Sequence, residues 1–297
     1  MTSKFKGIGV ALVTPFSNDG QVDYDALDKL VQLNIKNEID YLVVLGTTAE
    51  TSTLTTVEKK KVIQTVIESN QNRVPLVLGL GGNNTTELIE QMKTPEVLQF
   101  DAILSVSPYY NKPTQDGIYA HYKALSSASP VPIILYNVPG RTGSNVLPQT
   151  VLRLARDCKN IIGIKEASGD VVQGMRILRE KPTDFLVISG DDMTALPLIL
   201  AGGSGVISVI GQGIPSVFSK LIHAGLSGDL ATANQLQHLC MPIIDLIFQE
   251  GNPTGIKSLL SQLGIGTPTV RLPLVTASES LSMRIASSLE SIMTVKV

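Results

Sequence analysis

Eight short apolar runs, each followed by a stretch with helical spacing, dominate the chain as far as Ile210. They are Ile8–Thr14, Tyr41–Leu45, Pro75–Leu80, Asp101–Val106, Pro132–Asn137, Ile161–Lys165, Phe185–Ser189 and Gly205–Ile210, and their starts lie 20 to 34 residues apart. The runs are rich in Val, Ile and Leu with little polar alternation, the pattern of strands buried on both faces of a parallel sheet. Between them, Leu27, Leu30 and Val31 recur at helical spacing, and Thr55-Thr56-Val57-Glu58 has the form of a capping box. Eight strand–helix units in ~200–250 residues match the number and size of a closed (β/α)8 barrel. An open doubly wound sheet also accepts eight strands, but it usually carries a glycine-rich first turn, and here that turn is Thr14-Pro15-Phe16. After Ile210 the pattern is helical, over 217–226, 230–247, 255–263 and 277–294. The expected class is therefore α/β, a (β/α)8 TIM barrel over 1–225 with a C-terminal helical extension over 226–297 packed on it.

Composition narrows the chemistry. Of 297 residues 43% are hydrophobic and 17% charged, enough to bury a large core and to exclude a disordered chain. Twenty-four basic against 26 acidic residues leave a net charge of −2, without the basic footprint of a nucleic-acid binder. No run reaches the ~20 apolar residues of a membrane span, and the N-terminus lacks the apolar region of a secretory signal. Cys158 and Cys240 stand alone, which fits a reducing, cytoplasmic setting. His121, His223 and His238 are scattered, so no metal-ligand spacing appears and no metal is expected. With no Trp to stack on bases or sugars, the expected partner is a small molecule.

A barrel carries its chemistry at the C-terminal ends of its strands. Lys165 closes the apolar run Ile161–Ile164, where desolvation lowers a lysine pKa and frees the amine as a Schiff-base nucleophile. The competing reading is a structural lysine paired with Glu166. Tyr136 ends the fifth run and offers a phenol for proton transfer, or else a core hydroxyl bonded to backbone. Tyr109 and Tyr110 follow the fourth run; one of them either covers the barrel or meets a neighbouring subunit. Thr47 and Thr48 supply hydroxyls and N–H groups that suit a carboxylate, and Arg141 supplies a bidentate clamp, although taken singly the threonines also fit ordinary turn chemistry and the arginine is better explained by a surface ion pair. Gly202-Gly203-Ser204-Gly205 precedes the eighth run, on the wrong face for a phosphate cradle, and reads as a tight turn.

Taken in order, Gly46-Thr47-Thr48-Ala49-Glu50, Ser107–Pro113, Tyr136–Thr142, Gly163–Gly169, Gly190-Asp191-Asp192 and Gly203–Val209 resemble the motifs of the dihydrodipicolinate synthase (4-hydroxy-tetrahydrodipicolinate synthase) family, within the pyruvate-dependent class I aldolases that include N-acetylneuraminate lyase. The resemblance spans roughly 7–260. It implies condensation of pyruvate with L-aspartate-4-semialdehyde in lysine (diaminopimelate) biosynthesis, by a cytoplasmic homotetramer without a cofactor. By motif, Lys165 forms the imine and Tyr136 moves the proton. Thr47 and Tyr110 complete a hydroxyl relay, with one tyrosine crossing a subunit interface. Thr48 and the backbone of Ile207 hold the pyruvate carboxylate, and Arg141 holds that of the semialdehyde and orients Tyr136.

Three departures stand out. Ala49 replaces a glycine, at a cost of ~1 kcal/mol if that position needs positive φ. Asn252-Pro253-Thr254-Gly255-Ile256-Lys257 differs from N-P-I-P-V-K, a change expected to touch packing more than catalysis. Thr56 and Lys59 stand where lysine-inhibited relatives carry histidines, so despite Asn83 and Glu87 the inhibitory site is expected to be incomplete. A sibling lyase acting on another 2-keto acid shares Lys165 and Tyr136; the Arg141 motif and the Tyr109-Tyr110 pair favour the synthase. A barrel that has lost catalysis and only binds a keto acid or a partner is disfavoured by the intact Lys165, Tyr136, Thr47, Thr48 and Arg141.

Overall fold

A computed structural model describes residues 2–294. Eight parallel strands close into a barrel in chain order: β1 (Gly7–Ala11), β2 (Tyr41–Val44), β3 (Leu76–Gly79), β4 (Ala102–Val106), β5 (Ile133–Asn137), β6 (Ile161–Glu166), β7 (Leu186–Ser189) and β8 (Gly205–Ser208). β8 returns to pair with β1 through Gly7↔Gly205 to Val10↔Ser208. Around it run α1 (Tyr24–Lys36), α2 (Thr56–Asn70), α3 (Thr85–Met92), α4 (Gln115–Ala128), the one-turn α5 (Pro139–Thr142), α6 (Pro148–Asp157), α7 (Val171–Glu180), α8 (Ala195–Leu200) and α9 (Pro215–Ser227). The helices α10 (Leu230–Gln249), α11 (Thr254–Gln262) and α12 (Glu279–Met293) follow and pack on one another, with α10 against α9. No helix among the described residues is long and apolar enough to cross a membrane.

Each strand divides its side chains between two cores. The outward residues, such as Ile8, Val10, Leu42, Ile133 and Val187, join the helices in the larger one. The inward ones, among them Val43, Val77, Leu104, Ile134, Ile188 and Ile207, fill the barrel. At its floor Phe5, from a 3-10 turn at Thr2–Phe5 preceding β1, packs edge-on against Tyr41 at 5.7 Å. The Gly202–Gly205 segment is the turn entering β8: Gly202 and Gly205 take φ of +105° and +136°, and a Cβ on Gly205 would lie 1.8 Å from the Gly7 carbonyl. The capping box read from the sequence is present, with Thr55 and Glu58 making the reciprocal capping bonds of α2, whereas the starts read at 217, 255 and 277 fall at 215, 254 and 279.

β6 carries one irregularity that matters for the site. Its register against β5 slips between Ile133 and Ile134, which face Ile161 and Gly163, leaving Ile162 as an extra residue. Strict alternation from the inward Ile162 would aim Glu166 into the barrel and Lys165 out of it. The slip reverses the phase, so Ile164 joins the outer core and Lys165 faces in.

Candidate active site

The strand ends and the loops beyond them enclose a cavity of about 290 Å³. Lys165, Tyr136, Thr47, Thr48 and Arg141, from four different segments, all line it. Lys165 is 5% exposed, and its Nζ lies 4.6 Å from the centre of the Tyr136 ring. Burial drives its pKa down to about 8; the Asp192 carboxylate opposes that shift and the Arg141 guanidinium adds to it. Burial also raises the Tyr136 phenol, against the pull of Arg141 and the neighbouring Thr47 hydroxyl, so it stays protonated and able to donate.

Glu166 is not the partner of Lys165. It points outward, where Asn137 Nδ2 reaches both its oxygens at 3.1 and 3.0 Å, Gln173 Nε2 donates at 2.9 Å and the Ser168 N–H at 2.8 Å. That satisfied carboxylate ties β5, β6 and α7 together behind the cavity.

The loop after β2 is held in a left-handed form at both ends. Leu45 (φ +56°) and Glu50 (φ +53°) have positive φ, and Ala49 does not, so the glycine-to-alanine departure carries no backbone penalty. The Ala49 carbonyl accepts from Thr14 Oγ1 at 2.8 Å. Arg141 is exposed on α5, a single turn that starts with Pro139 at its first position, where a proline's fixed φ and missing N–H cost nothing.

Two residues of the expected set lie off the cavity. Ile207 is buried inside β8, opposite Gly9, and Tyr110 is 88% exposed with φ +70° on the loop after β4. Lys59 lines a separate cavity of about 270 Å³ behind the shared wall formed by Leu45, Gly79, Leu80 and Gly81. Two further contributors stand in the sequence motifs without an expected role. Asp192 is buried beneath the site and accepts from the N–H groups of Val209 and Ile210 at 3.1 and 2.9 Å; burial lifts its pKa to about 6. Asn252, between α10 and α11, lines the cavity and donates to Thr48 Oγ1 at 2.9 Å. The positions that depart from the motif, Thr254, Gly255 and Ile256, are buried in packing, while Asn252 and Lys257, which match it, are the ones that reach the site loop.

The model of the Dihydrodipicolinate synthetase family matches residues 4–292. A 4-hydroxy-tetrahydrodipicolinate synthase of Flavobacterium psychrophilum is 58% identical over 281 residues, covering 95% of this chain and 96% of that protein. One from Parabacteroides distasonis is 52% identical, covering 91% of each. Among solved structures, a dihydrodipicolinate synthase from Thermotoga maritima superposes with a TM-score of 0.95 at 39% identity, covering 98% of this chain and 99% of that one. A structure described as the first monomeric dihydrodipicolinate synthase variant gives 0.95 at 38%, covering 99% of each. With a match over nearly its whole length and the strand-end residues gathered in one cavity, the chain belongs to the dihydrodipicolinate synthetase family.

Proposed function

We propose that the chain condenses pyruvate with L-aspartate-4-semialdehyde to give 4-hydroxy-tetrahydrodipicolinate, in lysine (diaminopimelate) biosynthesis. The observation that carries this reading is a buried lysine, its amine held down to about 8, facing a protonated tyrosine across a cavity lined by Thr47, Thr48 and Arg141. Lys165 Nζ adds to the pyruvate carbonyl carbon, and loss of water leaves the imine. The protonated imine draws electrons from the methyl carbon, which gives up a proton and becomes an enamine nucleophile. That carbon attacks the aldehyde, and the new alkoxide takes a proton from Tyr136, resupplied through Thr47 and Tyr110. The semialdehyde's amine then adds to the imine carbon and displaces Lys165 as the free amine, closing the ring. The imine serves as the electron sink, so the sequence of steps calls on no cofactor.

Thr48 holds the pyruvate carboxylate in this scheme, and Arg141, at the rim, holds that of the semialdehyde; Ile207, off the cavity, takes no part in it. The exposure of Tyr110 in a single chain supports a relay completed by a neighbouring copy, within a homotetramer built as a dimer of dimers. The two cysteines are free and buried, which suits a cytoplasmic setting. The sibling-lyase reading is not favoured, because the relatives compared above bear the synthase name.

Borohydride reduction in the presence of pyruvate, followed by peptide mass mapping, tests the proposal. The expected result is a reduced pyruvyl adduct on Lys165; an adduct on another lysine, or none, overturns it.

A further inference from the structure

We propose that Asn252 is a positioning residue, which acts through Thr48 to aim that hydroxyl at the carboxylate of the bound keto acid. The inference rests on the reading that the cavity takes pyruvate on Lys165. Asn252 comes from the C-terminal extension, 204 residues from Thr48 in sequence, yet both line the cavity that holds Lys165. Its Nδ2 donates to Thr48 Oγ1 at 2.9 Å. A threonine hydroxyl has one hydrogen to give and two lone pairs to receive. With a lone pair committed to Asn252, rotation about the Cβ–Oγ1 bond is restricted and the hydroxyl hydrogen is turned away from the amide. Among the described residues no protein acceptor takes that hydrogen, which leaves it for a ligand in the cavity.

The other end of the same amide supports a role beyond packing. Asn252 Oδ1 is buried and has no protein hydrogen-bond partner among the described residues. Asn252 is also fixed rather than draped. α11 starts two residues later and carries Lys257, whose ammonium pairs with Glu50 at 2.5 Å, both side chains being 2% exposed. Lys257 donates besides to the Thr269 carbonyl, and Glu50 accepts from the Arg271 N–H at 2.9 Å. The extension thus grips the loop twice, at Thr48 and two residues on at Glu50, and the second grip sets the reach of the first.

The test compares wild type, Asn252→Leu, Thr48→Val and the double variant. It reads the pyruvate concentration that half-saturates borohydride trapping at Lys165, together with KM for each substrate, kcat and the melting temperature. Loss of one hydrogen-bonded orientation is expected to raise the half-trapping concentration and the pyruvate KM about 10-fold, with kcat at saturation and the aldehyde KM little changed. The double variant is expected to trap no worse than Thr48→Val, because a residue that works through Thr48 has nothing left to position. Unchanged trapping by Asn252→Leu, multiplicative losses in the double variant, or a loss confined to the aldehyde KM overturns the proposal. If Asn252→Leu fails to fold, the isosteric Asn252→Asp decides: its carboxylate takes the Thr48 hydrogen instead of supplying one, so trapping should weaken, and trapping at the wild-type concentration overturns the proposal. A wild-type enzyme that pyruvate does not label at Lys165 overturns the reading of the site as well, whereas a labelled wild type with an unaffected Asn252→Leu overturns this inference alone.

Discussion

A lysine amine with a pKa of about 8 is half neutral at pH 8, whereas one at the ordinary 10.5 is almost wholly protonated there. Nucleophilic attack needs the neutral form, so imine formation by Lys165 should rise with pH and level off above about 8. Asp192 works against the burial. Once ionised, above about 6, it favours the ammonium form and holds the lysine higher than burial alone would. Removing that charge in Asp192→Asn should therefore move the rising limb of the pH profile to lower pH. The isosteric amide oxygen can still accept from Val209 and Ile210, which limits disturbance of the loop. Rapid-mixing measurements of imine formation between pH 5 and 10 check this; a limb that stays in place or moves up would count against the electrostatic role. The lysine was visible in the sequence because a lone charge closing an apolar run must be either functional or paired. The role of the aspartate was not, although the residue stands in a motif, because its two backbone partners become neighbours only through the pairing of β7 with β8.

At the scale of elements, the slip in β6 decides which of two adjacent charges enters the cavity. Gly163 sits at that slip, and a Cβ there would meet Leu186 Cβ at 2.7 Å and the Leu186 carbonyl oxygen at 2.8 Å, a backbone obstacle that cannot swing aside. Gly163→Ala is expected to cost ~1–3 kcal/mol of stability by overpacking. It should also displace Lys165, so pyruvate trapping falls more than the unfolded fraction explains; denaturant unfolding and trapping on the same sample separate the two effects. All eight strands and the helices after them were legible in the apolar runs, because burial on both faces leaves an unbroken signal. The slip was not: a parallel strand buried on both faces has the same apolar composition in either phase. α5 was not legible as a helix because four residues carry no periodicity. Asn252 was seen only as part of a packing motif, since its contact with Thr48 spans most of the chain.

For the whole molecule, the proposed relay is incomplete in one copy, because Tyr110 faces solvent. Mixing Tyr110→Phe with Lys165→Ala, after dissociation and reassembly, should then restore activity that neither variant has alone. In a random mixture of paired chains roughly a quarter of sites would hold both wild-type groups. Absence of recovery, with mixed assemblies shown to form, would mean that each copy uses only its own residues. The closed floor has a consequence for traffic. Phe5 and Tyr41 pack together at the lower end, where the Tyr41 hydroxyl donates to the Val206 carbonyl, so the cavity is a well that opens at the C-terminal ends of the strands. Lys165 is buried inside it and Arg141 stands exposed on the loop above. Such a well fills like a stack of plates. In the proposed scheme the keto acid bound for the lysine enters before the aldehyde settles against the arginine above it. On that scheme the order of addition follows from the depth of Lys165 below Arg141.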